Sequence, residues 1–153
     1  VSPRTHEAFG GSSNTAEAIT RLLKEFRSNN SDFEQCAIVG VEGQGDHAFR
    51  IWSNHGSEEE VVVPFAEIVQ ILAADRDAYG YGWVFAHTHK YSKSPSGADN
   101  SATCALAWIG KLLDVPLVDH WIYTLDDPSF FSYSKGSSTH LRPAVRFEIE
   151  DHG

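Results

Sequence analysis

The sequence predicts a single-domain α/β fold, a mixed β-sheet flanked by helices. Two observations lead there: segments of helical and of strand-like apolar spacing alternate along the chain, and the length suits one core. At 153 residues the chain matches one ordinary domain of roughly 100–150 residues. The order helix, hairpin, helix, strand, helix, strands then fits helices packed on a mixed sheet. Residues 1–13 read as a disordered leader and 14–153 as the domain: Val1 to Asn14 is polar and Gly/Ser-rich, without the basic start and apolar core of a signal peptide.

The elements follow in chain order. Ile19, Leu22, Leu23 and Phe26 recur at i, i+3, i+4 and i+7, which predicts a helix over Thr15–Arg27, with Asn14 as cap and Glu17 completing a capping box. Phe33–Val41 and His47–Trp52 read as strands of a hairpin across a turn with two glycines. Ser53–Glu60 reads as a solvated acidic loop. Phe65, Ile68, Val69 and Leu72 predict a second helix to about Ala78, with Pro64 where a first turn tolerates it. Trp83–His87 has the composition of a central strand. Ala102, Ala105, Leu106, Ile109, Leu112 and Leu113 predict a third helix over Ala98–Leu113, with Asp99 at its start. Val118–Leu125 and Phe130–Tyr133 are strand-like, and Val145, Phe147 and Ile149 alternate with polar residues in a last strand. Core packing is the expected role of Trp52, Trp83, Trp108 and Trp121.

Charge and composition exclude several classes of function. A net charge of −9 opposes the basic surface that nucleic acid requires, so none is expected as a partner. No apolar run approaches the ~20 residues of a membrane span. The only cysteines, Cys36 and Cys104, are too few for a disulfide framework, and a reducing cytoplasm is the expected location.

His87 and His89 stand two apart, so in extended chain both imidazoles project to one side and reach one ion. Asp99 follows a short loop and opens a helix, which lets the chain fold back and offer a carboxylate as third ligand. Two His and one Asp leave a fourth position open, as in catalytic rather than structural zinc sites. Such a site needs a base for the water proton and a donor for the developing oxyanion. Glu34, at the start of a strand, and Ser96, in the loop between the ligands, are the candidates, with Glu42 as rival base at the hairpin turn. Asp119 and His120 are adjacent on a strand and face opposite ways, so one is expected buried and hydrogen-bonded and the other near the site.

Glu34, the run His87–Thr88–His89, and Ser96 followed three residues later by Asp99 resemble the JAMM/MPN (JAB-domain) zinc metallopeptidase motif, a distant Glu, then HxH, then SxxD. Val118–Asp119–His120 with Phe131–Ser132–Tyr133 is similar to its bacterial and phage RadC-like branch. The resemblance covers roughly Phe33 to Tyr133 and departs from the family at two points: the stretch from His89 to Ser96 is one residue shorter, and Lys90 stands where Pro is usual. It implies an MPN sandwich with Zn2+ on His87, His89 and Asp99, Glu34 as general base and Ser96 stabilising the tetrahedral intermediate.

The activity so implied is hydrolysis of an amide bond, removing or processing a ubiquitin-like modifier, with that modifier or a peptide as partner. Glu58, Glu59 and Glu60, if they border the groove, would favour a basic tail. The rival readings are a RadC-like protein with a non-proteolytic role and an inactive MPN binding scaffold.

Overall fold

The computed structural model describes residues 4–6, 15–29, 34–41, 49–52, 63–91, 94–127 and 129–134. Its elements run β1 (Arg4–His6), α1 (Thr15–Ser28), β2 (Cys36–Gly40), β3 (Phe49–Trp52), α2 (Phe65–Ala74), α3 (Arg76–Tyr79), β4 (Trp83–Thr88), α4 (Gly97–Leu113), β5 (Leu117–Tyr123) and β6 (Phe130–Ser132). One six-stranded sheet has the order β1-β3-β2-β4-β5-β6. Among the described strands only β4 and β5 pair in parallel, so the sheet is mixed, as predicted.

Both faces of the sheet are covered. Ala18, Leu22, Leu23 and Phe26 of α1 pack on Ala37, Val39, Val84, Ala86 and Trp121. On the opposite face Cys36, Ile38, Trp83 and Phe85 meet Ile68 and Leu72 of α2, Tyr79 of α3 and Leu106 of α4. Alternate residues of β2 and β4 thus serve opposite cores, which is why both strands read as nearly unbroken apolar runs. Among the described residues no helix is long and apolar enough to cross a membrane.

Several expectations change. Within the stretch read as a leader, Arg4–His6 forms β1 along β3; backbone pairing needs no apolar side chains, so a polar segment gave no sign of it. The second helix breaks at Asp75, whose φ of −124° and ψ of 65° lie outside the helix. The break turns the chain so that Tyr79 is buried and the Ala78 carbonyl lies against Gly40, where an added Cβ would come within 1.9 Å.

The inward stripe of α4 also differs from its apolar pattern. Leu112 is 77% and Trp108 41% exposed, while Asp99, Thr103, Leu106, Ala107 and Gly110 are buried. The buried stripe is polar at its N-terminal end because that end faces polar groups of the sheet. Phe65, in the first turn of α2, is likewise exposed. The cap Asn14, the hairpin turn with Glu42, the loop with Glu58, Glu59 and Glu60, and the last strand lie outside the described residues.

The foot of α4 is locked to the start of β4. Asp114 adopts the left-handed conformation (φ 59°), Val115 N–H donates to the Gly110 carbonyl at 2.9 Å, and Trp83 Nε1–H donates to the Val115 carbonyl at 2.7 Å. A Cβ on Gly110 would meet the Val115 oxygen at 2.6 Å. In an open helix Gly→Ala stabilises by about 0.8–1 kcal/mol. Here the clash with backbone reverses the sign, and Gly110→Ala is expected to destabilise by about 1–3 kcal/mol, read as a lower urea midpoint at unchanged slope. An unchanged or higher midpoint would show that the helix end is not clamped.

Candidate metal centre

β4 ends at the site and α4 begins there. His87 is on β4 with 1% of its side chain exposed, and His89 follows the strand with 16% exposed. The His89 N–H donates to the Tyr123 carbonyl at 2.8 Å, tying the chain beyond β4 to the end of β5. The imidazoles lie side by side, centroids 4.7 Å apart.

Asp99 reaches both. Its Oδ1 is 3.0 Å from His87 Nε2 and its Oδ2 is 2.9 Å from His89 Nε2. One ligand atom from each of the three residues falls within 4.8 Å of the others, and the group is able to hold a metal ion. The donor set, two imidazole nitrogens and a carboxylate oxygen, suits zinc in a site with an open position. A second observation agrees: among the described residues His87 Nε2 is a buried nitrogen with no hydrogen-bond partner, so it approaches Asp99 Oδ1 without hydrogen-bond geometry. A cation between the nitrogen and the carboxylate would satisfy both.

The electrostatics fit metal binding. Burial pushes His87 below the ordinary imidazole range against the pull of Asp99, which keeps the ring neutral, as a ligand must be. Burial pushes the Asp99 carboxyl up, but the two imidazoles and the Ser96 N–H outweigh it and hold the group well below the usual carboxylate range. Cys36 pairs with His87 across β2 and β4, yet burial first and then Glu67 push its thiol up, so it stays protonated and outside the ligand set.

Ser96 is the N-cap of α4: its Oγ accepts from Asp99 N–H at 3.1 Å, and Asp99 Oδ2 accepts from Ser96 N–H at 2.8 Å. The capping box therefore fixes the carboxylate that faces the imidazoles. A serine hydroxyl that accepts a bond still has its hydrogen to donate. Glu34 is buried, and continuing the pairing of Cys36 with His87 by two residues sets Glu34 opposite His89. Gln35 N–H to Thr88 Oγ1 and Thr88 N–H to the Gln35 carbonyl, both 2.9 Å, hold that strand end together.

The family model of the RadC-like JAB domain matches residues 12–138, a stretch that includes all of these residues. The chain belongs to the RadC-like JAB domain family. A search of the curated proteins finds no match to it. The residues that set the RadC-like resemblance apart, Asp119, His120, Ser132 and Tyr133, all have structural partners. Asp119 accepts from His120 N–H, Trp121 Nε1–H, Ser132 Oγ–H and both N–H and Oγ–H of Ser134, binding β6 to β5. His120 faces the opposite way, fully buried, with Nε2 2.8 Å from His87 Nδ1 and Nδ1 2.6 Å from Thr103 Oγ1.

The sequence pointed to His120 as a residue of interest but not to Thr103. The signal for Thr103 was its place four residues after Asp99, on the same helix face. In this RadC-like JAB domain His89→Ala is expected to abolish zinc binding. Ser96→Ala is expected to keep about one zinc per chain while losing about 1 kcal/mol of stability through the missing cap. Metal stoichiometry after dialysis, alongside urea unfolding, separates the two, and zinc retained by His89→Ala would remove that residue from the ligand set.

Proposed function

We propose that this domain is a zinc-dependent hydrolase of amide bonds, with His87, His89 and Asp99 as ligands, Glu34 as general base and Ser96 as oxyanion donor. The observation that carries this reading is the buried His87 nitrogen without a hydrogen-bond partner, facing Asp99 beside a second imidazole that is only partly buried. Zinc at such a site supplies Lewis acidity and lowers the pKa of a bound water to roughly 7.

The chain's own residues would do the rest. Glu34 would take the proton from the attacking water and pass it to the leaving amine, a role that its register position opposite His89 supports. Ser96 has its Oγ fixed by the Asp99 N–H and would turn its hydrogen toward the substrate carbonyl oxygen as negative charge develops there. Loss of one such donor typically costs about 10²–10³-fold in kcat. His89, less buried than His87, marks the side from which substrate would approach.

The substrate we propose is an extended polypeptide tail, such as that of a ubiquitin-like modifier, joined through an amide to a lysine or a following peptide. Membership of the JAB family and the partial exposure of His89 support it. The reaction is tested with the zinc-loaded chain on isopeptide-linked and linear ubiquitin-like substrates. Hydrolysis should be lost with a chelator, restored by zinc, and abolished in Glu34→Gln with the metal retained. Full turnover by Glu34→Gln would displace Glu34 from the role of base. Intact substrates across the panel would favour a binding scaffold.

A further inference from the structure

Three buried contacts run from one metal ligand to another outside the centre itself. His87 Nδ1 lies 2.8 Å from His120 Nε2, His120 Nδ1 lies 2.6 Å from Thr103 Oγ1, and Thr103 Oγ1 donates to the Asp99 carbonyl oxygen at 2.7 Å. The direction of the last bond is fixed, because a carbonyl oxygen only accepts. It uses the one hydrogen that threonine has, so toward His120 Thr103 Oγ1 must accept, and His120 Nδ1 carries a hydrogen. A neutral imidazole has one N–H. His120 Nε2 is then a lone pair, His87 Nδ1 donates to it, and His87 Nε2 is left as a lone pair on the side of Asp99 and His89.

We infer that Thr103 and His120 are positioning residues of the centre, forming a one-way relay from His87 to the Asp99 carbonyl that holds His87 in the tautomer able to ligate a metal through Nε2. The inference deepens the metal-site reading and rests on it. It joins two ligands by a route through protein, so the first turn of α4 and the end of β4 are set in one frame before any ion arrives. The relay also accounts for the local irregularity of β5. Trp83 pairs with Leu117 and Val84 with Asp119, a shift of one residue in the parallel ladder. Without that shift the following residues would exchange faces, and His120 would point toward α1. With it, His120 pairs with Phe85 and reaches His87. Tyr133 stacks on the His120 ring at 4.6 Å and 3°, and its hydroxyl donates to Asn100 Oδ1 at 2.7 Å, which fixes the plane of the ring from α4.

The test uses Thr103→Val, which keeps the shape and removes the hydroxyl, with Thr103→Ser as the conservative rescue. Zinc affinity is measured by chelator competition on the full chain, and the His87 tautomer by nitrogen-15 imidazole spectra of the metal-stripped chain. Thermal unfolding confirms that each variant is folded. The wild type and Thr103→Ser should show His87 with hydrogen on Nδ1 alone. Thr103→Val should show the other tautomer or a mixture, and should bind zinc about 10–100-fold more weakly, the usual loss when the hydrogen-bond partner of a metal-bound histidine is removed. A role confined to packing would leave the tautomer unmoved. A folded Thr103→Val chain with an unchanged tautomer, or with wild-type zinc affinity, would overturn the relay. Failure of the wild-type chain to bind zinc would overturn the metal reading instead, since the tautomer of the metal-stripped chain decides the relay separately.

Discussion

The parallel pairing of β4 with β5 is the constraint from which the rest of the site follows. Parallel neighbours cannot be joined by a tight turn, so the chain must leave the end of β4, cross a face of the sheet and re-enter beside the start of β4. Helix α4 makes that return. From Trp83 to His87 the strand rises about 13 Å, and from Gly110 back to Asp99 the helix spans about 16 Å. With the foot of the helix clamped at Trp83, Gly110 and Val115, its N-terminus is carried up to the level of His87. A carboxylate in that first turn meets two imidazoles at the carboxyl end of the strand, the position where open α/β sheets generally place their ligands.

The two faces of the sheet carry different tasks. The α1 side is almost wholly apolar, with Leu22, Phe26, Val39, Ile51 and Trp121 closing on one another, and it supplies burial without chemistry. The α4 side buries His87, Asp99, Thr103 and His120 in the same layer as Leu106 and Phe85. Buried polar groups are tolerable only when partnered. Thr103 and His120 meet that condition within the protein, whereas His87 Nε2 does not. Asp119 handles the same problem on the other face by gathering donors from β5, β6 and the turn after β6.

The capping box of α4 combines a structural and a chemical task. Ser96 and Asp99 satisfy each other's backbone N–H groups, as a helix start requires whatever the protein does. The same bonds orient the Asp99 carboxylate toward His87 and His89, and the partial positive charge of the helix N-terminus favours its anionic form. The SxxD spacing thus serves both the start of α4 and a group of side chains that could hold a metal ion. That double use explains how the six residues between His89 and Ser96 can be one fewer than in the family while the carboxylate still faces the imidazoles.

By itself the sequence determined the helical face of α1, the strand character of β2 and β4, and the set His87, His89 and Asp99, because each depends on spacing within one segment or across one short loop. Ser96 was legible as the cap of α4 for the same reason, through an i, i+3 helix signal. What only the tertiary structure decided depends on which segments lie side by side. The one-residue register shift puts His120 on the side of His87 and Asp119 on the other, and no periodicity in β5 records it. Thr103 gains its role from a strand packed across the helix. Leu112 and Trp108 repeat at helical spacing yet stay exposed among the described residues, since the inward stripe of α4 was set by the polar groups it had to meet. Periodicity reports what a segment is able to bury, and the partner across the sheet decides what it does bury.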